Sequence, residues 1–97
     1  MRIIDNGAFS SCKSLTSITI PDSVISIGDN AFNKCTSLAS ISIGEGVKYI
    51  GNYAFTECYA LTSITLPDSV ISIGDYAFKH CTRMTTINIP DGIISIG

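Results

Sequence analysis

Leu15-Thr16-Ser17-Ile18-Thr19-Ile20-Pro21-Asp22-Ser23-Val24-Ile25-Ser26-Ile27-Gly28-Asp29-Asn30-Ala31-Phe32-Asn33-Lys34-Cys35 is the stretch whose reading decides the fold. Ser17-Ile18-Thr19-Ile20 alternates polar with β-branched apolar residues, which predicts a short strand with Ile18 and Ile20 on one face, stopped by Pro21. Pro-Asp is turn chemistry, because Pro presets φ and Asp can bond the backbone two residues on. Val24-Ile25-Ser26-Ile27 predicts a second short β-like stretch ended by Gly28, which can take positive φ without steric cost. Asp29, or Asn52 one unit later, stands where a side-chain oxygen can cap a single helical turn carrying Ala31, Phe32 and Cys35 inward.

The same pattern recurs in both directions from this stretch at a step of 23 residues. Phe9, Phe32, Phe55 and Phe78 keep that step, and so do Cys12, Cys35, Cys58 and Cys81. Ala8, Ala31, Ala54 and Ala77 follow it, as do Leu15, Leu38, Leu61 and Met84, then Ile18, Ile41, Ile64 and Ile87, and finally Ile4, Ile27, Ile50, Ile73 and Ile96. Aligning Phe9–Ala31 with Phe55–Ala77 leaves 17 identities in 23 positions, and no block carries an insertion. A period of this size indicates a solenoid whose coils stack and share one core. One coil sends Leu15, Ile18, Ile20, Val24, Ile27, Ala31, Phe32 and Cys35 inward and cannot bury them alone. Parallel stacking at about 4.8 Å per coil predicts a slab about 20 Å along its axis.

Composition narrows the function classes. The 97 residues are 45% apolar and 14% charged, outside the range of disorder, so the chain folds as one array over 1–97. A net charge of -2 with no basic cluster leaves no footprint for nucleic acid. No apolar run is long enough for a membrane span or a signal-peptide core, so membrane insertion is not expected and any export signal would lie outside this chain.

The string Leu-x-x-Ile-x-Ile-Pro-x-x-Val-x-x-Ile-Gly-x-x-Ala-Phe-x-x-Cys resembles the 23-residue leucine-rich repeat of the BspA-like type, found in surface proteins of bacteria and some parasitic protists. The resemblance implies a right-handed leucine-rich-repeat solenoid of short parallel strands, turns and single-turn helices. It further implies an extracellular or cell-surface role in adhesion or protein binding. Departures are small: Gly44-Glu45-Gly46 replaces Pro-Asp-Ser, Met84 replaces Leu, and Asp5 replaces the Gly of the Ile-Gly pair.

Four cysteines at one phase admit disulfides, a metal site or a packed ladder. Zinc needs ligands converging from different directions, and a disulfide needs an S–S torsion near 90° that parallel Cβ vectors disfavour. A reduced, buried ladder is therefore expected, with no metal and no cofactor. His80 shares its phase with Ser11, Lys34 and Glu57, so the position looks permissive and His80 a solvated surface residue. No catalytic acid–base pair breaks the repeat, and an enzyme is not expected. Asp22, Glu45, Asp68 and Asp91 read as turn-forming acids, since no calcium-loop spacing is present.

Two surfaces could bind a partner. The outward row of the main strand, Ser17 and Thr19, Ser40 and Ser42, Ser63 and Thr65, Thr86 and Asn88, is short and polar, and the resemblance makes it the concave, ligand-binding face. The same row reads equally as solvated strand surface. Ile25, Ile71 and Ile94, interrupted by Lys48, form an apolar flank if they do not tuck into the core. A protein ligand is the expected partner. Since the array starts at the phase of Val24 and stops at the phase of Gly28 without polar caps, a homo-oligomer joined through terminal coils is also expected, and a self-assembling solenoid is the competing role.

Overall fold

Nine short strands occur among the described residues: β1 (Ile3–Ile4), β2 (Ser17–Ile20), β3 (Ser26–Ile27), β4 (Ser40–Ile43), β5 (Tyr49–Ile50), β6 (Ser63–Thr65), β7 (Ser72–Ile73), β8 (Thr86–Asn88) and β9 (Ser95–Ile96). The computed structural model describes residues 2–88, 90, 92, 95 and 96, with the side chains of Thr86, Ser95 and Ile96 left out of that description. Met1, Asp91, Ile94 and Gly97, on which part of the sequence reading rests, lie outside the described residues.

The period sets the register directly. Ile4 pairs with Ile27, Ile27 with Ile50, Ile50 with Ile73, and Ile73 with Ile96, all parallel, so β1, β3, β5, β7 and β9 form one five-stranded sheet. The main strands behave differently. β2 pairs with β4 through Ile18↔Ile41 and Ile20↔Ile43, and β6 with β8 through Ile64↔Ile87, so this ladder is interrupted between the second and third coils. The result is a parallel β-solenoid of about four turns, with extents of 30 × 28 × 20 Å that match the slab expected from four strand spacings.

Identical residues at one phase make stacked ladders in the core. Val24, Val47 and Val70, Leu38 and Leu61, and Phe32 and Phe55 are all fully buried. The Phe rings lie almost parallel, with centroids 5.2 Å apart from Phe9 to Phe32, 5.2 Å from Phe32 to Phe55 and 5.4 Å from Phe55 to Phe78. Burying each such side chain stabilises the fold by about 1.5–3 kcal/mol. Phe9 and Phe78 are only half-buried, having one ring neighbour each among the described residues.

The expected single helical turn is replaced by a chain of tight turns. Ala31, Asn33, Cys35 and Leu38 donate their N–H groups to carbonyls three residues back, whereas Asn30, Phe32 and Lys34 donate to Asn52, Ala54 and Thr56 of the next coil. A helix would direct every N–H along its own axis. Left-handed φ at Asn30 (59°) and Lys34 (62°) turns alternate groups outward instead, and Gly7, Ser11, Tyr53, Glu57, Tyr76 and His80 repeat that geometry. The position of His80 is therefore not permissive in backbone terms, although the side chain is exposed as expected.

Two sequence expectations acquire different physical reasons. Asp29 and Asn52 do not cap a helix: the Oδ1 of Asn6, Asp29 and Asn52 each accepts the N–H of the residue 23 positions on, giving a polar ladder that ends at Asp75. Gly28 is not at positive φ. A Cβ there would stand 2.6 Å from the backbone nitrogen of Asn6, and Gly51 and Gly74 meet the preceding coil in the same way. Close approach of two backbones explains these glycines. Asp5, exposed at the same phase of the first coil, is the backbone that Gly28 approaches.

Candidate functional site

The outward row of the main strand is exposed at Ser17, Thr19, Ser40, Ser42, Ser63, Thr65 and Asn88. The side chain of Thr86 lies outside the described residues. Strand alternation places these groups outward because Ile18, Ile20, Ile41, Ile43 and Ile64 take the other face. Asn88 differs from the rest of its row. Its Oδ1 accepts the Leu66 N–H at 2.9 Å and its Nδ2 donates to the Leu66 carbonyl at 3.2 Å, so the amide closes onto the neighbouring strand instead of standing free.

A cavity on this face spans the strand exits of the first three coils. Thr19, Ser42 and Thr65 contribute hydroxyls, Ile41 and Ile43 an apolar floor, and Asp22 and Glu45 carboxylates, around a volume of about 570 Å³. Ile41 and Ile43 are half-buried, while Ile64 and Leu66 in the next coil are 3% and 1% exposed. Gly44 stands between Pro21 and Pro67 in this wall, at the coil where Gly44-Glu45-Gly46 departs from the repeat. A Cβ at Gly44 would meet the Ile20 carbonyl oxygen at 2.6 Å, so only glycine lets the two coils approach there. Asp22 also acts across coils, its Oδ1 accepting the Glu45 N–H at 2.9 Å.

The cysteines form no disulfide among themselves. Each thiol of Cys35, Cys58 and Cys81 donates to the carbonyl of the Phe 26 residues earlier, at 3.1, 3.2 and 3.1 Å. Cys35 and Cys58 are buried, whereas Cys12 and Cys81 are half-buried, so burial fades at the outer coils. Burial pushes the Cys58 thiol up to about 12, with the neighbouring Cys81 and Cys35 adding to the effect. Cys35 and Cys81 are also raised, chiefly by burial. A buried thiol whose pKa is raised carries little thiolate near neutral pH. Ile25 and Ile71 of the apolar flank are half-buried, beside an exposed Lys48.

Sequence reasoning missed a second groove, of about 360 Å³, on the turn side of the coils. Asn30, Asn33, Tyr53, Thr56, Glu57, Lys79 and His80 line it. The tyrosines were visible as exceptions at a phase held elsewhere by Gly7 and Asn30. Glu57 and His80 share the groove, but no hydrogen bond joins them among the described residues, and the Glu57 Oε1 accepts the Tyr59 hydroxyl at 2.8 Å.

The BspA type leucine-rich repeat region matches residues 2–97, counted as six copies of its unit. A solved leucine-rich repeat protein from Bacteroides capillosus is 32% identical, with a TM-score of 0.70, over 99% of this chain and 62% of that one. The T. pallidum leucine-rich repeat protein is 25% identical, with a TM-score of 0.69, over 100% of this chain and 63% of its own. A leucine-rich cell surface protein from Faecalibacterium prausnitzii is 31% identical, with a TM-score of 0.64, over 99% of this chain and 33% of its own. The chain thus spans about three fifths of the first two structures and a third of the last. No curated protein sequence matches it. Repeat register, core ladders and these similarities agree, and the chain belongs to the BspA-type leucine-rich repeat family.

Proposed function

We propose that the chain is a non-catalytic protein-binding module, serving recognition or adhesion at a cell surface. The similar Faecalibacterium prausnitzii structure is named a cell surface protein, and no helix among the described residues of this chain is long and apolar enough to cross a membrane. One observation carries the reading: the exposed Ser/Thr row opens into the 570 Å³ cavity across the first three coils, where half-buried Ile41 and Ile43 sit inside a polar rim. An apolar floor with a polar border is the anatomy of a protein-recognition patch. The test compares the wild type with the Ser42→Lys, Thr65→Lys double variant, both immobilised, against a panel of purified extracellular-matrix proteins. Both positions face solvent, so the variant should keep its melting temperature while losing capture. Equal capture by both chains would remove this face from the site, and no capture by the wild type would count against the module.

A second reading rests on a separate observation. Ile87 is 38% exposed where its counterpart Ile64 is 3%, and Phe9 and Phe78 are half-buried where Phe32 and Phe55 are fully covered. End coils of this chain would bury such surface by homo-oligomerisation, at roughly 25 cal/mol per Å². Sedimentation at micromolar concentration should give a dimer or larger species that Ile87→Glu weakens. A strict monomer at high concentration would defeat it.

A further inference from the structure

We propose that the groove lined by Tyr53, which Tyr76 backs, is a binding site for a neutral carbohydrate, on the turn side of the solenoid and independent of the Ser/Thr face. The two tyrosines occupy one phase of adjacent coils, at φ of 60° and 55°. Bulky side chains seldom adopt this left-handed backbone, whereas glycine and asparagine take it readily. Gly7 and Asn30 hold the same phase in the other coils, so the repeat has less strained solutions available. Burial does not explain the choice, because Tyr53 is 39% and Tyr76 56% exposed. Strained backbone carrying an exposed aromatic is a mark of a functional position.

The rings form an offset, tilted stack, with centroids 5.5 Å apart and planes at 31°, in which Tyr76 backs Tyr53 and Tyr53 lines the groove. Beside Tyr53 the groove presents the amides of Asn30 and Asn33, the Glu57 carboxylate, the Lys79 ammonium and the imidazole of His80. Asn33 donates from Nδ2 to the Asn30 Oδ1 at 2.8 Å, while its own Oδ1 is buried without a partner. Glu57 is oriented by the Tyr59 hydroxyl. The groove thus combines the Tyr53 ring with hydrogen-bond donors and acceptors in a volume within the range of small-molecule sites.

The chemistry selects among ligands. A cation is disfavoured, since Lys79 already holds its Nζ 4.8 Å from the Tyr76 ring centroid and would repel a second positive charge. An anion would meet Glu57. A sugar ring carries no charge, packs its weakly positive C–H face on the negative face of an aromatic ring, and offers an edge of hydroxyls that both donate and accept. Planar amides and a held carboxylate suit that edge.

The chain contains four tyrosines and no tryptophan, so tyrosine fluorescence includes the signal of Tyr53 in the groove free of tryptophan emission. Maltotriose, cellotriose and chitotriose are titrated into the wild type, with calorimetry as a second readout. At least one should bind in the millimolar range. The Tyr53→Asn, Tyr76→Gly variant, built from residues the repeat uses at this phase, should lose about tenfold or more in affinity. Its melting temperature should be unchanged or higher, because left-handed strain is relieved. The Ser42→Lys, Thr65→Lys variant should bind the sugar as the wild type does. The proposal is overturned if none of the three sugars binds, if the tyrosine variant binds equally well, if that variant melts well below the wild type, or if the concave-face variant loses the sugar.

Discussion

Phe55→Ala should be far more damaging than Phe9→Ala, although both remove the same side chain at the same phase. Phe55 is fully buried between Phe32 at 5.2 Å and Phe78 at 5.4 Å, so its removal leaves a closed cavity and breaks two ring contacts. Truncating a buried Phe costs about 3–5 kcal/mol, and two lost stacks of about 0.5–1.5 kcal/mol each put Phe55 toward the upper end. Phe9 is half-buried with one ring neighbour at 5.2 Å, and its void would open to solvent. Half of a full burial term and one stack come to about 2 kcal/mol. Urea melts followed by circular dichroism measure both, and an unchanged slope licenses the comparison because coil arrays can melt in parts. Phe32→Ala, also fully buried between two rings, serves as the internal control and should match Phe55→Ala. Equal losses at Phe9 and Phe55 would refute the shared-stack reasoning.

The thiols and glycines give two further tests. A bulky thiol reagent should label half-buried Cys12 and Cys81 in the native state well before buried Cys35 and Cys58. Since the folded Cys58 pKa of about 12 lies above its ordinary 9.0, the folded chain keeps a proton the unfolded chain releases. Its contribution is therefore intact below the unfolded value and falls by about 1.4 kcal/mol per pH unit as pH rises toward the folded one. Urea midpoints from neutral to strongly alkaline pH should show this decline, and a Cys58→Ala variant declining just as steeply would contradict it. Gly51→Ala would bring a Cβ within 2.6 Å of the Asp29 backbone nitrogen and should cost about 1–3 kcal/mol, whereas Gly92→Ala, with nothing within 4 Å, should be nearly neutral. Thermal melts of the two variants decide it, and equal effects would rule out backbone approach as the reason for glycine.

The 23-residue spacing by itself determined the solenoid, its register and its core, because identical side chains at one phase must lie above one another when coils stack. Phe32 on Phe55 and Ile27 beside Ile50 follow from counting alone. The exposed Ser/Thr row was legible for a similar reason, since alternation along a strand sorts its side chains between two faces. The tertiary structure decided where each polar group goes. Nothing in the spacing says that Asp29 bonds Asn52 in the next coil, that the Phe32 N–H leaves its own turn for Ala54, or that Asn88 clamps Leu66. The cavity at Gly44 and the groove at Tyr53 share that origin, lying between coils where the repeat changes residue. A periodic sequence states which residues are neighbours, while hydrogen-bond choice and the gaps between neighbours depend on left-handed φ values and backbone approach that arise only when the coils pack.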